Sequence, residues 1–336
     1  MRADLLLRWV AGLLAVAFVG LSSGCGGSSE SASTAGFLDR YVRDSGAVVR
    51  TDQGGDVVSE GQAYAMVLAD IAGEWSTVRS VWKWTSTHLQ RPDGLLSWHA
   101  KPDGTVLDPQ SAADADVLAA WALLDYRGPS PDALTAAGKQ LAAAVLAHET
   151  VPVGGRRVLA AGPWAVTASP PMVNPSYWMP SVFRSLAAAT GDARWKTLAD
   201  TSVRQLSALT SGGQQLPPDW AQVKGAALVP TGAADGSGSP SYGLDAARAP
   251  VWLAADCTAA SRDLAGHLWT LLRDRSDTTP LSKVAAAASA RAAGADGAAS
   301  QAMKDAEALA QDHPTYYGDA WVALGTAMQD GRPPAC

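Results

Sequence analysis

Basic excess is the first thing this 336-residue chain lacks: 26 lysines and arginines stand against 32 aspartates and glutamates, a formal charge of −6. That balance excludes the electrostatic footprint of a nucleic-acid binder or of a polybasic lipid-binding surface. It suits an uncharged partner. The five histidines (His88, His99, His148, His267 and His313) are scattered, with no H-E-x-x-H or C-x-x-C, so no metal site is expected. P-loop, dinucleotide fingerprint and G-x-S-x-G are all missing, and no cofactor is expected. Ser80-Val81-Trp82-Lys83 matches the S-x-x-K of penicillin-recognising enzymes, but S-D-N and K-T-G are absent and the match sits mid-helix, so it reads as coincidence.

Long apolar runs are lacking too, except at the start. Arg2 and Arg8 flank a short basic n-region, an apolar stretch over 9–21 comes next, and Ser22-Ser23-Gly24-Cys25 follows it. Residues 1–24 therefore read as a bacterial lipoprotein-type export signal with Cys25 as the lipidated residue, although Leu21 lies one place further from the cysteine than usual. Ordinary signal cleavage near Cys25 is the alternative. Residues 25–35, rich in Ser, Gly and Ala, read as a flexible tether. The expected location is the cell envelope, anchored to the outer face of the membrane or secreted. Residues 36–336 are of a length for one catalytic-sized domain. Removing Arg2, Arg8 and Asp4 leaves 24 basic and 31 acidic residues, a charge of −7. Of the three cysteines only Cys257 and Cys336 follow Cys25; export permits them to pair, and buried free thiols are equally compatible.

Tryptophan is what the chain has instead of phenylalanine, 13 against 3. An indole N–H needs a partner when buried, which makes tryptophan costly core filler and a natural partner for the apolar faces of sugar rings. Most are expected to pack helices, with three or four in a groove. Helical periodicity covers 35–48, 59–71, 74–88, 114–126, 131–148, 177–190, 193–210, 246–254, 258–272, a pair within 281–311, and 315–329. The best strand candidate is 157–161. Long polar loops at 50–58, 91–113, 162–176 and 212–242 each lead into a helix, and loops of that length are usually functional. Successive helical hairpins with elaborated loops describe an all-α toroid with a groove on one face.

Carboxylates sit at three of these loop-to-helix junctions: Glu60, Asp114 with Asp116, and Asp245. Ser59 and Gln62 have the spacing of a capping box, which places Glu60 in the first turn of a helix apolar nearly all round. Singly, each acid is explained by the helix dipole or an N-cap. Together, with tryptophans nearby, they suit a glycosidase, in which one carboxylic acid protonates the leaving oxygen and one carboxylate activates water.

The segments carrying these acids resemble glycoside hydrolase family 8, closest to the endoglucanases associated with bacterial cellulose synthases. Ser59-Glu60-Gly61-Gln62-Ala63-Tyr64-Ala65-Met66 resembles the family's SEGQxYGM, and Asp93-Gly94-Leu95-Leu96-Ser97-Trp98 its DGLxxW. Residues 111–116 resemble SATDADxD, 174–180 NPSYxxP, 242–248 GYDAxR, and Tyr316-Tyr317-Gly318 the late YYG, all in family order over roughly 36–329. The resemblance implies an (α/α)6 barrel, an inverting endo-acting mechanism without metal, and cellulose-like β-1,4-glucan or a related polysaccharide as substrate. It further implies Glu60 as general acid, Asp245 as general base, Asp114 holding the distorted sugar, and Arg248 orienting Asp245. Trp98, Asp116, Tyr177 and Tyr317 would complete the substrate site. Leu244 replaces the tyrosine before the base, and Ala113 the Thr or Ser before Asp114. The competing readings are a non-catalytic glycan-binding lipoprotein, or the same enzyme class on xylan, chitosan or another envelope glycan. The protein is expected to be a monomer with no nucleic-acid partner. One tension follows: a helix N-terminus lowers the pKa of Glu60, whereas a general acid must stay protonated near neutrality, so burial and negative neighbours, Asp114 and Asp116, must outweigh the dipole.

Overall fold

The computed structural model describes residues 27–276 and 278–332. The signal segment and Cys25 lie outside the described residues, as does Cys336. The first helix, α1 (Gly27–Tyr41), begins inside the stretch read as a tether, because that Ser/Ala/Glu run is compatible with a helix and its continuation has a surface to dock on. Phe37, Leu38 and Tyr41 are buried, and Tyr41 and Arg40 both bond Asp319 of the last helix. The helix also ends earlier than its periodicity suggests. Beyond Tyr41 the β-branched pair Val42 and Val48 forms an antiparallel bridge instead.

The remaining long helices are α2 (Ser59–Ala72), α3 (Trp75–His88), α4 (Ala113–Asp125), α5 (Asp132–His148), α7 (Pro180–Thr190), α8 (Ala193–Leu209), α9 (Arg248–Ala254), α10 (Ala259–Leu272), α11 (Pro280–Ala292), α12 (Asp296–Asp312) and α13 (Tyr316–Gln329). A five-residue helix, α6 (Pro163–Thr167), lies in a loop. Two burial patterns sort them. In α2, α4 and α13 nearly every residue is buried, as for helices enclosed on all sides. In α12 only a stripe is buried, Ala299, Ala302, Met303, Ala306 and Ala310, at the spacing of one helix face. The enclosed helices form an inner ring: α2 packs on α4, α4 on α7, α7 on α9, α9 on α11, α11 on α13, and α13 back on α2. Each is backed by an outer helix, respectively α3, α5, α8, α10, α12 and α1. This is an (α/α)6 barrel. Because an outer helix returns the chain between successive inner ones, the inner helices run the same way and present their N-termini on one face.

Several boundaries have local causes. α7 starts at Pro180 rather than at Tyr177, since proline is favoured in the first turn and forces Met179 out of helical geometry (φ −117°, ψ 79°). A short 3-10 turn over Pro175–Tyr177 precedes it. The Ala-rich tract is two helices, divided at Gly294, whose φ of +74° a side chain would resist; Gly297, expected to help divide them, lies inside α12. The capping box expected at Ser59 does not form. Ser59 follows directly from β1 (Val57–Val58), and its N–H bonds the carbonyl of Trp98. Gln62 is drawn inward instead, accepting from Val48 N at 2.6 Å and donating to Thr85 Oγ1 at 2.8 Å. The reciprocal box occurs at Thr279 and Ser282 of α11.

Small antiparallel sheets decorate the loops. β1 pairs with β2 (His99–Ala100), and β2 with β3 (Val106–Asp108). β4 (Thr150–Val153) and β5 (Arg156–Leu159) form a hairpin where the strand candidate was read. β6 (Met172–Val173), β7 (Trp220–Lys224) and β8 (Ala227–Thr231) make a third sheet.

Candidate active site

The N-terminal face of the ring holds a cavity of about 330 Å³. Four charged side chains converge there from three helix starts: Glu60 from α2, Asp114 from α4, and Asp245 and Arg248 from the turn into α9. Arg248 joins them. Its Nη1 donates to Glu60 Oε1 and to Asp114 Oδ2, each at 2.8 Å, and its Nη2 donates to Asp245 Oδ1 at 2.8 Å. The guanidinium is 3 % exposed and lies over the Tyr177 ring, 5.1 Å from its centroid. Arg248 therefore does more than orient Asp245; it ties all three carboxyls together.

One cation facing three carboxyls cannot stabilise three negative charges out of water. Burial pushes Glu60 up to about 7, with Asp114 and Asp245 adding to the rise while Arg248 and the Tyr64 hydroxyl oppose it. The dipole of α2 is thus outweighed. The second negative neighbour is Asp245, not Asp116 as expected from sequence. Asp114 is raised as well, by burial first, against the opposing pull of Arg248. Tyr64 donates to Glu60 Oε1 at 2.8 Å, the oxygen Arg248 also holds. Both donors fall on one oxygen, so Oε2 is the position for the proton.

Asp245 has a different environment. Its side chain is 36 % exposed, against 6 % for Asp114 and 21 % for Glu60. Asn174 Nδ2 donates to Asp245 Oδ2 at 3.0 Å, and the amide is oriented because its Oδ1 accepts from Ser176 N and Oγ. Each of its oxygens therefore accepts from a donor, Oδ1 from Arg248 and Oδ2 from Asn174. Asp219 shapes the loop that presents Asp245, accepting from Gly243 N at 3.0 Å, Ala246 N at 2.8 Å and Ser241 Oγ at 2.7 Å. Sequence reasoning missed Asn174 as a partner of the base and Asp219 altogether. The Asn-Pro-Ser-Tyr segment offered a signal for Asn174; a lone Asp219 in a long loop offered none.

Trp98, Tyr177, Tyr317 and Leu244 border the cavity, as the sequence led us to expect of the aromatic three. His99 stacks on Trp98 at 4.7 Å and is held by Asp56 at 2.7 Å. Arg50 braces Asp56 in turn. These contacts, also unread in the sequence, fix a platform on a loop. Trp220 continues the aromatic surface beside Tyr177 (6.4 Å), followed by Trp164 (6.2 Å). Trp178, Trp195, Trp252 and Trp321 are fully buried packing residues. Leu244 is 51 % exposed, directly before the candidate base. Gly61 is required beside Glu60, since a Cβ there would lie 2.7 Å from the Tyr316 hydroxyl.

Asp116 does not belong to this surface. It is fully buried and accepts from Leu96 N at 2.9 Å. Asp114 and Asp116 are two apart in one helical turn, and such residues do not share a face. If Asp114 faces the cavity, Asp116 must face away.

The sequence model of Glycosyl hydrolases family 8 matches residues 9–316. The chain belongs to that family. A probable endoglucanase of Novacetimonas hansenii is 36 % identical over 228 residues, 64 % of each chain. A reducing-end xylose-releasing exo-oligoxylanase of Paenibacillus barcinonensis is 27 % identical over 51 % of this chain and 48 % of its own. The chain thus aligns with less than two thirds of the length of these curated relatives. Among solved structures, an endo-β-1,4-glucanase from Acetobacter xylinum superposes with a TM-score of 0.73 at 27 % identity, covering 90 % of this chain and 98 % of its own. Cys257 is disulfide-bonded.

Proposed function

We propose that this glycoside hydrolase cleaves β-1,4-linked glucan within the chain and with inversion, Glu60 acting as general acid and Asp245 as general base. The observation carrying this reading is the placement of the two carboxyls on different nitrogens of one buried guanidinium, Glu60 with its pKa pushed up by burial and Asp245 more exposed with a donor on each oxygen. That division of environments is how two carboxyls of similar chemistry take opposite roles. Glu60 delivers its proton from Oε2 to the departing glycosidic oxygen. A water on the opposite face of the sugar ring loses its proton to Asp245 and attacks the anomeric carbon, inverting it. Asp114, fixed by Arg248 and by Ala115 N, contacts the sugar distorted at the cleavage point. The endoglucanase relatives support the glucan and the endo mode, and the run of platforms from Trp98 to Tyr177 and Trp220 suits a chain lying across the face.

Glu60→Gln tests the assignment. It keeps the shape and the bonds to Arg248 and Tyr64 but has no proton to give; general acid catalysis contributes about 10²–10⁴-fold, so viscosity loss of soluble cellulose derivatives should slow by that order. Normal rates would reject Glu60 as the acid. Activity on xylan or chitosan in preference to glucan, in a panel run beside it, would replace the substrate and keep the mechanism.

The protein is further proposed to be a monomeric lipoprotein acting at the cell envelope, anchored through Cys25, with Cys257 joined to Cys336. The export signal supports the first, and the disulfide state of Cys257 the second. Mass spectrometry of the mature N-terminus and non-reducing peptide mapping test them; an unmodified N-terminus, or Cys336 as a free thiol, would contradict each.

A further inference from the structure

Behind the cavity, Asp116 of α4 and Glu149, the residue that ends α5, meet side chain to side chain, both fully buried. Asp116 Oδ1 accepts from Leu96 N at 2.9 Å, and Glu149 Oε1 accepts from Ser111 Oγ at 2.6 Å. The remaining oxygens, Asp116 Oδ2 and Glu149 Oε2, are buried and accept from no donor. Among the described residues neither acid forms an ion pair. Two carboxylates cannot share such a site as anions, so the contact requires a proton between them.

We propose that Asp116 and Glu149 form a one-proton clasp that positions Trp98 and Asp114, and that losing this proton opens the clasp and disarms the groove while leaving Glu60 in place. The inference rests on the functional reading above for what Trp98 and Asp114 do. The clasp itself joins the segments that carry them. Leu96 is two residues from Trp98, Asp116 shares the first turn of α4 with Asp114, and Ser111 precedes that helix while its carbonyl accepts from Trp164 Nε1. Glu149 connects the assembly to the hairpin, its carbonyl accepting from Ala160 N. Neither acid touches substrate; both are positioning residues.

The charged groups facing the clasp are Asp114 on α4, and Asp93 with Arg91 on the loop that carries Trp98. Arg91 is the cation among them, and it is committed to Asp93. Burial pushes Glu149 up to about 8, helped by Asp114 and Asp93 and opposed by Ser111 and the bond to Asp116. Burial and the neighbouring Glu149 likewise raise Asp116 well above the usual carboxylate range. The native state therefore keeps a proton that the unfolded chain has already released. The clasp's contribution to stability is full below the unfolded glutamate pKa of about 4.3 and declines as pH rises toward the folded value.

Two measurements test the clasp without depending on hydrolysis. Carboxyl ¹³C NMR of the glutamate-labelled protein should show a resonance titrating near 8 that persists in Glu60→Gln; absence of any glutamate titrating above 7 apart from Glu60 would overturn the proposal. Stability against pH should then separate the wild type from Glu149→Gln. The amide keeps the bond to Ser111 and donates to ionised Asp116, so the variant should gain on the wild type steadily as pH rises toward 8. Parallel curves would overturn the proposal. Glu149→Ala, which breaks the clasp, should lower kcat on glucan by up to about 10²-fold, the scale of a misplaced catalytic group, and Gln at the same position should restore most of it below pH 7. An alanine variant as active as the glutamine variant would show that the pair positions nothing. If glucan proves not to be the substrate, the NMR and stability results still decide whether the clasp exists.

Discussion

Arg248 donates from Nη1 to Glu60 at 2.8 Å across 188 residues of sequence, linking the candidate acid on α2 to the turn that carries the candidate base. The same guanidinium holds Asp114 and Asp245. Replacing it by lysine keeps the charge and loses the planar fork, which a point charge cannot reproduce. Arg248→Lys should lower kcat/KM by roughly 10²-fold, the order expected when reacting groups lose alignment, with a smaller change in KM. Arg248→Ala should also destabilise the fold by about 3–5 kcal/mol, because it leaves buried carboxyls without their cation. Steady-state kinetics and denaturant titration measure both. A fully active lysine variant would remove Arg248 from the alignment of the acid and base.

The pH profile follows from Glu60. Its carboxyl is raised to about 7 by burial first, and catalysis requires the protonated form. kcat/KM should therefore hold up to that pH and then fall about tenfold per unit. The sign for stability is the same: a carboxyl whose folded pKa lies above its unfolded one binds more protons in the native state, so its contribution falls as pH rises toward 7 and is flat beyond. Glu60→Gln should accordingly gain stability over the wild type between pH 5 and 7. An alkaline limb that sets in only well above pH 8 would contradict the assignment.

Asp219 acts at a distance from the cavity through three hydrogen bonds to the loop 241–246. Asp219→Ala leaves those donors without their acceptor, each costing about 1–3 kcal/mol if it stays buried. Since Asp245 sits within that loop, kcat should fall by at least tenfold, comparable to a modest misplacement of a reacting group, while KM changes little. An effect on KM alone would mean that the loop binds sugar rather than presenting the base.

Trp98 is locked against His99, which Asp56 holds. Trp98→Ala removes one platform and leaves Glu60 and Asp245 untouched, so long oligosaccharides should lose about tenfold in affinity for the catalytically silent enzyme, equivalent to about 1.4 kcal/mol, and short ones less. His99→Ala should show a weaker form of the same pattern. Calorimetric titration of a length series checks this. Equal losses at every length would place Trp98 at the cleavage point instead of along a groove.

The helices were legible because the inner ones are apolar all round and the outer ones carry a single stripe, signals that survive in a lone sequence. Of the small sheets only the β4–β5 hairpin was legible, through the strand candidate at 157–161; strands of two or three residues such as Val57–Val58 are too short to show alternation. Within the site, Glu60, Asp114, Asp245 and Arg248 were legible through their segments, and the cavity brings all four together. Ser59 and Gln62 misled, because capping spacing says nothing about a strand that enters the helix directly and a glutamine with better partners inside. Asp116 was assigned to substrate although its spacing from Asp114 already placed it on another side of the helix. Asp219 and Glu149 had no motif; their importance arises from partners that only the fold brings near.

The most direct test of the central claim is time-resolved ¹H NMR of a cello-oligosaccharide during its first turnovers. An inverting enzyme, with its carboxyls roughly 6.5–9.5 Å apart to admit water, releases the α-anomer at the new reducing end before mutarotation appears. Initial release of the β-anomer would show retention and contradict the pairing of Glu60 with Asp245 as acid and base.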